Sequence, residues 1–235
     1  QKESNCSSLK ELVDSSNYIF ISVPTPMKKE GECDLAIIEK VISDIALCSN
    51  TRKTIIIKST VPVGFTKKNS LKYNNLDFVF NPEFLTEANY IDDFKNQKFI
   101  ILAGEKKICS QIKEIYSINF PDCEYLITDY NSAEMVKYTI NNFLALKVSF
   151  ANEIFTFCNA LDIDYNEMIK IAIADNRMGF SHWAVPGPDG KYGFGGSCFP
   201  KDTLSLLHQL QSAKIESYII KAAINRNKKI DRKEE

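Results

Sequence analysis

Thr54-Ile-Ile-Ile-Lys-Ser-Thr-Val-Pro-Val-Gly64 decides the fold. Its first half is β-rich, Val-Pro-Val-Gly closes the run, and a helix is predicted to follow as far as about Tyr73. A strand apolar on successive residues is buried on both faces, and such strands belong to parallel sheets covered by helices on both sides. Similar units lie on either side. Tyr18-Ile-Phe-Ile-Ser-Val23 ends at Pro24-Thr-Pro26, and Leu35, Ile38, Val41, Ile42 and Ile45 then recur at helical spacing over 34–48. Asp77-Phe-Val-Phe80 stops at Asn81-Pro82. Phe99-Ile-Ile-Leu-Ala103 leads into a helix over 106–117, and Tyr125-Leu-Ile-Thr128 is a fifth strand. The expectation is an α/β fold, with a partial doubly wound, Rossmann-like parallel sheet over 1–128.

The pattern changes after Thr128. Residues 131–161 keep helical periodicity without proline or glycine, a long central helix by globular standards. A second helix is predicted over 163–174, and two more over 199–211 and 216–227. Between them, 176–196 reads as a long loop carrying Pro186-Gly-Pro-Asp-Gly190, and long loops inside domains are usually functional or disordered. Residues 129–235 are thus expected to form an all-helical domain. The closing run Arg226-Asn-Lys-Lys-Ile-Asp-Arg-Lys-Glu-Glu235 mixes both signs and reads as a solvated helix end.

Composition excludes several classes. The chain has 235 residues, 44% hydrophobic and 25% charged, as a soluble globular protein does. A formal net charge of -1 points to neither nucleic acid nor an acidic membrane surface, and no apolar run reaches membrane-spanning length. The 7 cysteines are odd in number and lack a C-x-x-C pair, which argues for a reducing, cytoplasmic setting without disulfides or zinc. His182 and His208 do not pair at metal-ligand spacing, so no metal is expected.

In doubly wound sheets, ligands bind beyond the C-terminal ends of the strands. Val23-Pro-Thr-Pro26, Ser59-Thr-Val-Pro-Val-Gly64 and Asn81-Pro-Glu-Phe-Leu-Thr-Glu87 fall there. Gly193-Phe-Gly-Gly-Ser-Cys198-Phe-Pro-Lys-Asp202 puts a cysteine at the start of a helix, because Pro200 fits a first turn. A helix N-terminus favours thiolate, the nucleophilic form; Lys201 adds a cation and Asp202 a carboxylate one turn along. Two readings stand: an activated nucleophile, or a small buried cysteine after a glycine turn with Asp202 complementing the dipole. Lys137 and Asn141 share a helix face, and Glu83 and Glu87 stand four apart; each pair is either catalytic or a solvated surface.

Taken in order, these strings, with Ala133-Glu-Met-Val-Lys137, Asn141-Asn-Phe-Leu144 and Asp175-Asn-Arg177, resemble the UDP-glucose/GDP-mannose dehydrogenase family through nearly the whole chain. The resemblance implies an enzyme that oxidises a nucleotide sugar twice with NAD. Cys198 would attack the aldehyde and pass through a thiohemiacetal to a thioester. Lys137 would stabilise the oxyanion, Asn141 would hydrogen-bond it or a water, and Asp202 would orient Lys137 or a water. Glu83 or Glu87 would activate the hydrolytic water, with Thr60 positioning that water or the nicotinamide. Val23, Thr25, Ser59, Thr60 and Glu87 are the implied cofactor contacts. Phe84, Leu85, Lys137, Asn141, Arg177, Lys191, Tyr192, Phe194 and Gly195 are the implied substrate contacts. Arg177 would reach a neighbouring subunit's site, in a homodimer built through the long helix; the alternative for Arg177 is a helix C-cap cation.

The chain departs from that pattern in two places. No G-x-G-x-x-G follows a strand; Gly193-Phe-Gly-Gly196 follows a loop and leads into the cysteine helix. The chain begins at Gln1, and is expected to lack the family's first βαβ unit and, after Glu235, its second α/β domain. The resemblance implies UDP-glucose as substrate, the paired glutamates following the family's pattern for glucose over the N-acetyl sugars; GDP-mannose, a UDP-N-acetylhexosamine, or an inactive fragment serving only as a dimerisation module are the alternatives.

Overall fold

A computed structural model describes residues 8–86 and 89–233. The chain forms two compact units, one taking in residues up to 28 with 33–137, the other 29–32 with 138 onward.

The first unit is a helix-covered sheet. It runs α1 (Leu9–Ser15), β1 (Tyr18–Ile21), α2 (Ala36–Cys48), β2 (Lys53–Ile57), α3 (Phe65–Lys72), β3 (Leu76–Phe80), α4 (Tyr90–Lys95), β4 (Phe99–Gly104), α5 (Lys106–Ser117) and β5 (Glu124–Thr128). The strands lie in chain order, β1-β2-β3-β4-β5. Ile55 and Ile57 of β2 face the stripe Ile38, Ile42 and Ile45 of α2, while Ile56 points the other way, into a cluster with Ile108, Cys109 and Ile112 of α5. Both faces of β2 are therefore dry, as its unbroken apolar run requires.

The α/β class and the covered sheet agree with the sequence; the all-parallel sheet does not. β1, β2 and β3 run parallel, and so do β4 and β5, but β3 and β4 are antiparallel through Val79↔Gly104 and Phe80↔Ala103. Among the described residues of the connection over 81–98 the only helix is the 6-residue α4, and the antiparallel pairing means that the chain does not recross the sheet. β4 instead starts beyond the C-terminal edge of β3 and runs back towards it, overlapping only at the tips. Gly104 permits this meeting: its φ is +156°, and a Cβ there would stand 2.7 Å from the Phe78 carbonyl oxygen.

α6 (Tyr130–Ala160) is one helix of 31 residues. Its first two turns belong to the first unit, where Glu134 is 0% exposed. The Glu134 carboxylate accepts the Gly64 N–H at 2.6 Å and the Thr66 N–H at 2.9 Å. Those donors open α3, whose own cap residue Gly64, at φ +95°, has no side chain to satisfy them. A carboxylate from 70 residues away thus does the work of an N-cap. Burial pushes its pKa above the usual carboxylate value, against the pull of these donors.

The second unit is helical, as expected. After α6 come α7 (Tyr165–Ala172), a 3-10 turn (Asn176–Met178), α8 (Phe199–Ser212), α9 (Ile219–Arg226) and a π-helical turn (Asn227–Asp231). Asp164 caps α7 by accepting the Asn166 and Glu167 N–H groups. The long 176–196 segment is ordered by specific bonds. Tyr165 donates its hydroxyl to Trp183 O at 2.7 Å, and Lys147 donates to Met178 O at 2.9 Å while lying 4.7 Å from the Trp183 ring centroid. The closing segment differs from the solvated helix end expected. Asn227 and Arg232 are buried, because the π-helical turn swings them inward.

Glu134→Ala orphans two N–H groups, that of Thr66 buried and that of Gly64 partly so, and should lower stability by about 2 kcal/mol. Glu134→Gln keeps one acceptor and sets an amide N–H₂ against the second donor, so it should fall between. Urea unfolding measures both; an unchanged midpoint for the alanine variant would remove Glu134 as the cap.

Candidate active site

The parallel strands β1, β2 and β3 end on one edge, and the loops beyond them carry the predicted cofactor residues. The loops brace one another. Ser59 donates its hydroxyl to Val23 O at 2.7 Å, and Thr25 donates to Thr60 O at 2.8 Å. Two of the three predicted hydroxyls, those of Ser59 and Thr25, are therefore engaged by backbone carbonyls, and Thr60 is held by its own carbonyl. Glu87 lies outside the described residues.

Lys137 closes the first unit's part of α6 and is not on a solvated face; it is 7% exposed. Its ammonium donates to Glu83 O at 2.5 Å and lies 5.1 Å from the Phe84 ring centroid. Phe84 packs on Phe99, and Thr86 hydrogen-bonds Asp93 through its N–H at 2.8 Å, so the segment carrying Glu83, Phe84 and Leu85 is pinned at both ends. Glu83 keeps its carboxylate partly exposed, 4.0 Å from the Lys58 ammonium.

Lys58 is a residue that spacing did not single out. Its ammonium donates to Asn81 Oδ1 at 3.1 Å, which also accepts the Tyr116 hydroxyl at 2.6 Å; Asn81 Nδ2 donates to Ile101 O at 2.8 Å. Burial pushes the Lys58 pKa down, with Lys137 adding to the effect against Glu83. Burial also raises Tyr116 to about 12. Two ammonium groups and one carboxylate thus meet around the β3 loop. The only sequence signal for Lys58 was a lysine at the end of an otherwise apolar strand.

The second unit holds the cysteine. Cys198 is the N-cap position of α8, Pro200 lies in the first turn, and the thiol is half-exposed, so the sequence expectation of a cysteine at a helix head holds. Asp202 is 1% exposed and accepts Asn141 Nδ2 at 2.6 Å and Lys201 Nζ at 2.5 Å. Lys201, expected beside the thiol, spends its charge on Asp202. Asn141 is 6% exposed, which removes the solvated-face reading for it too. Asn142, beside it, donates to Asp202 O at 3.2 Å.

The remaining predicted contacts scatter. Lys191 and Tyr192 are exposed, whereas the Phe194 side chain is buried with Ala145 and Ala223. Gly195 lies under the Arg232 guanidinium. Arg177 stands in the 3-10 turn with its side chain 89% exposed and pairs with Asp175, so it is not a cap on α7.

A dinucleotide's diphosphate sits on free N–H groups where a glycine turn opens a helix after a strand. In the first unit Gly64 makes such a turn, but Glu134 already holds its donors. That turn therefore offers a dinucleotide's diphosphate no free donors.

Residues 2–119 match the model of the NAD binding domain of the UDP-glucose/GDP-mannose dehydrogenase family, and 131–229 match the model of its central domain. A UDP-glucose 6-dehydrogenase of Rickettsia bellii is 36% identical over 227 residues, covering 93% of this chain and 50% of that protein. The solved UDP-glucose dehydrogenase of Pyrobaculum islandicum superposes with a TM-score of 0.84 at 30% identity, over 93% of this chain and 52% of that one. The UDP-D-ManNAc dehydrogenase of Pyrococcus horikoshii does so with 0.78 at 25%, over 93% and 52%. The chain spans about half the length of the curated relatives it matches.

Asp202→Ala leaves the Asn141 amide and the Lys201 ammonium without their shared acceptor and should cost about 3 kcal/mol in urea unfolding. A loss well under 1 kcal/mol would mean that water replaces the carboxylate.

Proposed function

The chain belongs to the UDP-glucose/GDP-mannose dehydrogenase family, and on that premise we propose that its protein oxidises UDP-glucose twice, to UDP-glucuronate, with Cys198 as nucleophile. One observation carries the reading: a half-exposed cysteine opens α8, and one turn along stands a buried carboxylate held by an amide and an ammonium.

The alcohol first loses a proton and a hydride to become an aldehyde. The Cys198 thiolate then adds to the aldehyde carbon, giving a thiohemiacetal whose oxyanion Lys137 stabilises and Asn141 hydrogen-bonds. Loss of a second hydride, with the C–S bond kept, leaves a thioester. A water activated by Glu83 or Glu87 adds to it; the C–S bond breaks, freeing the carboxylate and regenerating the thiolate. Thr60 positions that water. Asp202 holds Asn141 and Lys201 in place and orients the proton-accepting group. Val23, Thr25, Ser59, Thr60 and Glu87 would hold the nicotinamide end of NAD, the family's cofactor, which when bound would supply the hydride acceptor for each oxidation; no residue described here is assigned to its diphosphate. Phe84, Leu85, Arg177, Lys191, Tyr192, Phe194 and Gly195 are offered as sugar-nucleotide contacts.

A homodimer through α6 belongs to the same proposal. Phe143, Phe150 and Phe157 recur every seventh residue on it and are 64%, 54% and 62% exposed, an apolar seam of coiled-coil period. The cysteines described are all free, which supports a reducing, cytoplasmic setting.

The test is stoichiometry and substrate choice in the purified protein. Two NADH per UDP-glucose are expected, with GDP-mannose and UDP-N-acetylhexosamines turned over more slowly. Faster turnover of either competitor would reassign the substrate. Cys198→Ala should lower kcat by about a thousandfold or more; full activity would remove Cys198 as nucleophile. Phe150→Glu should shift sedimentation from dimer to monomer.

A further inference from the structure

The end of the chain carries a device that its composition conceals. α9 passes into the π-helical turn Asn227–Asp231, closed by the Arg232 N–H donating to Asn227 O at 2.7 Å. π turns are rare and recur at functional places. This one sets two side chains against the glycine segment that leads to Cys198. The Asn227 amide pairs with the Phe194 peptide in both directions: the Phe194 N–H donates to Asn227 Oδ1 at 2.9 Å, and Asn227 Nδ2 donates to Phe194 O at 2.9 Å. The Arg232 guanidinium donates to Asp189 Oδ2 at 2.5 Å and, more weakly, to Gly193 O at 3.5 Å. From α6, Asn152 Oδ1 accepts the Gly193 N–H at 3.1 Å.

The glycines record this contact. A Cβ on Gly193, whose φ is +68°, would collide with Asn227 Oδ1; one on Gly195 would lie 2.5 Å from Arg232 Cζ. Gly193, by its positive φ and its close neighbours, is thus held to glycine by the chain's own residues, and Gly195 leaves the room that the Arg232 guanidinium occupies. A buried guanidinium is costly unless it is paired, and a hydrophobic side chain would fill the same space. What the polar pair supplies is one backbone geometry for the segment.

We propose that Asn227 and Arg232 are positioning residues for the nucleophile: they fix 193–196 and, through it, the place of the Cys198 thiol at the head of α8. The inference rests on Cys198 being the nucleophile proposed above. An arm independent of that activity separates the two.

The test uses the purified protein with Asn227→Ala, Asn227→Asp and Arg232→Lys, each kept below its own unfolding temperature. In Asn227→Ala, hydrogen exchange over 193–198 should quicken by about tenfold while exchange in the β-sheet stays unchanged. With UDP-glucose as probe, kcat should fall by about tenfold or more and KM by less than about threefold either way, since a small displacement of a reacting group acts on chemistry more than on binding. Asn227→Asp keeps the acceptor for the Phe194 N–H and should recover part of kcat. Iodoacetamide, followed at the Cys198 peptide, should react at a rate changed by about threefold, because the thiol's access to the reagent follows the place of 193–196. Unchanged kcat, or a rise in KM with kcat kept, overturns the proposal. If the wild-type protein does not oxidise the sugar, the functional reading fails, and equal alkylation rates in wild type and variants still overturn this one. Should Asn227→Ala not fold, Arg232→Lys carries the same measurements with the same outcomes.

Discussion

A carboxylate in a dry interior, aimed at the head of another helix, organises the first unit. Glu134 satisfies two backbone donors that Gly64 leaves open, and in doing so ties the loop after β2 to the first turns of α6. Lys137 follows on the same helix and reaches the backbone of the loop after β3. The loops after β1 and β2 are in turn braced by Ser59 and Thr25. An ionised group buried without donors would be untenable, so the helix end and the acid need each other. Their match fixes the loop after β2 against the start of α6.

Much of the fold was legible because it rests on short-range physics. Apolar runs bounded by proline and glycine located β1 to β5, and helical spacing located α2, α5 and the 31-residue α6 to within a residue or two. α1 and α4 escaped notice because they are short and bury little. The direction of β4 escaped for a different reason. A strand's own residues do not encode the sense in which it is entered; that depends on whether the preceding connection recrosses the sheet, and over 81–98 it does not.

The site was legible in part. Spacing named Lys137, Asn141 and Asp202 but left open whether they faced water; burial answers that. Spacing also placed Cys198 at a helix head. It failed where partners are far apart in the chain. Nothing local tells that Asn141 meets Asp202, that Lys58 meets Asn81 and Tyr116, or that Phe194 is folded into the core. The mixed-charge end misled most: alternating signs ordinarily mean solvent, but Arg232 pairs with Asp189 inside the unit.

The order of the strands has a consequence for how the chain is made. Since β1-β2-β3-β4-β5 repeats the order of synthesis, each strand emerging from a ribosome finds its neighbour already present. Among the described strands, none must wait for a later one to slot in between, as the central strands of many α/β sheets must. Assembly can proceed as a zipper growing at one edge, with modest sequence separation between pairing partners and a correspondingly small entropic barrier. The last addition to the first unit is the start of α6, which delivers Glu134 to a helix head built some seventy residues earlier and so seals the sheet only after the five described strands are in place.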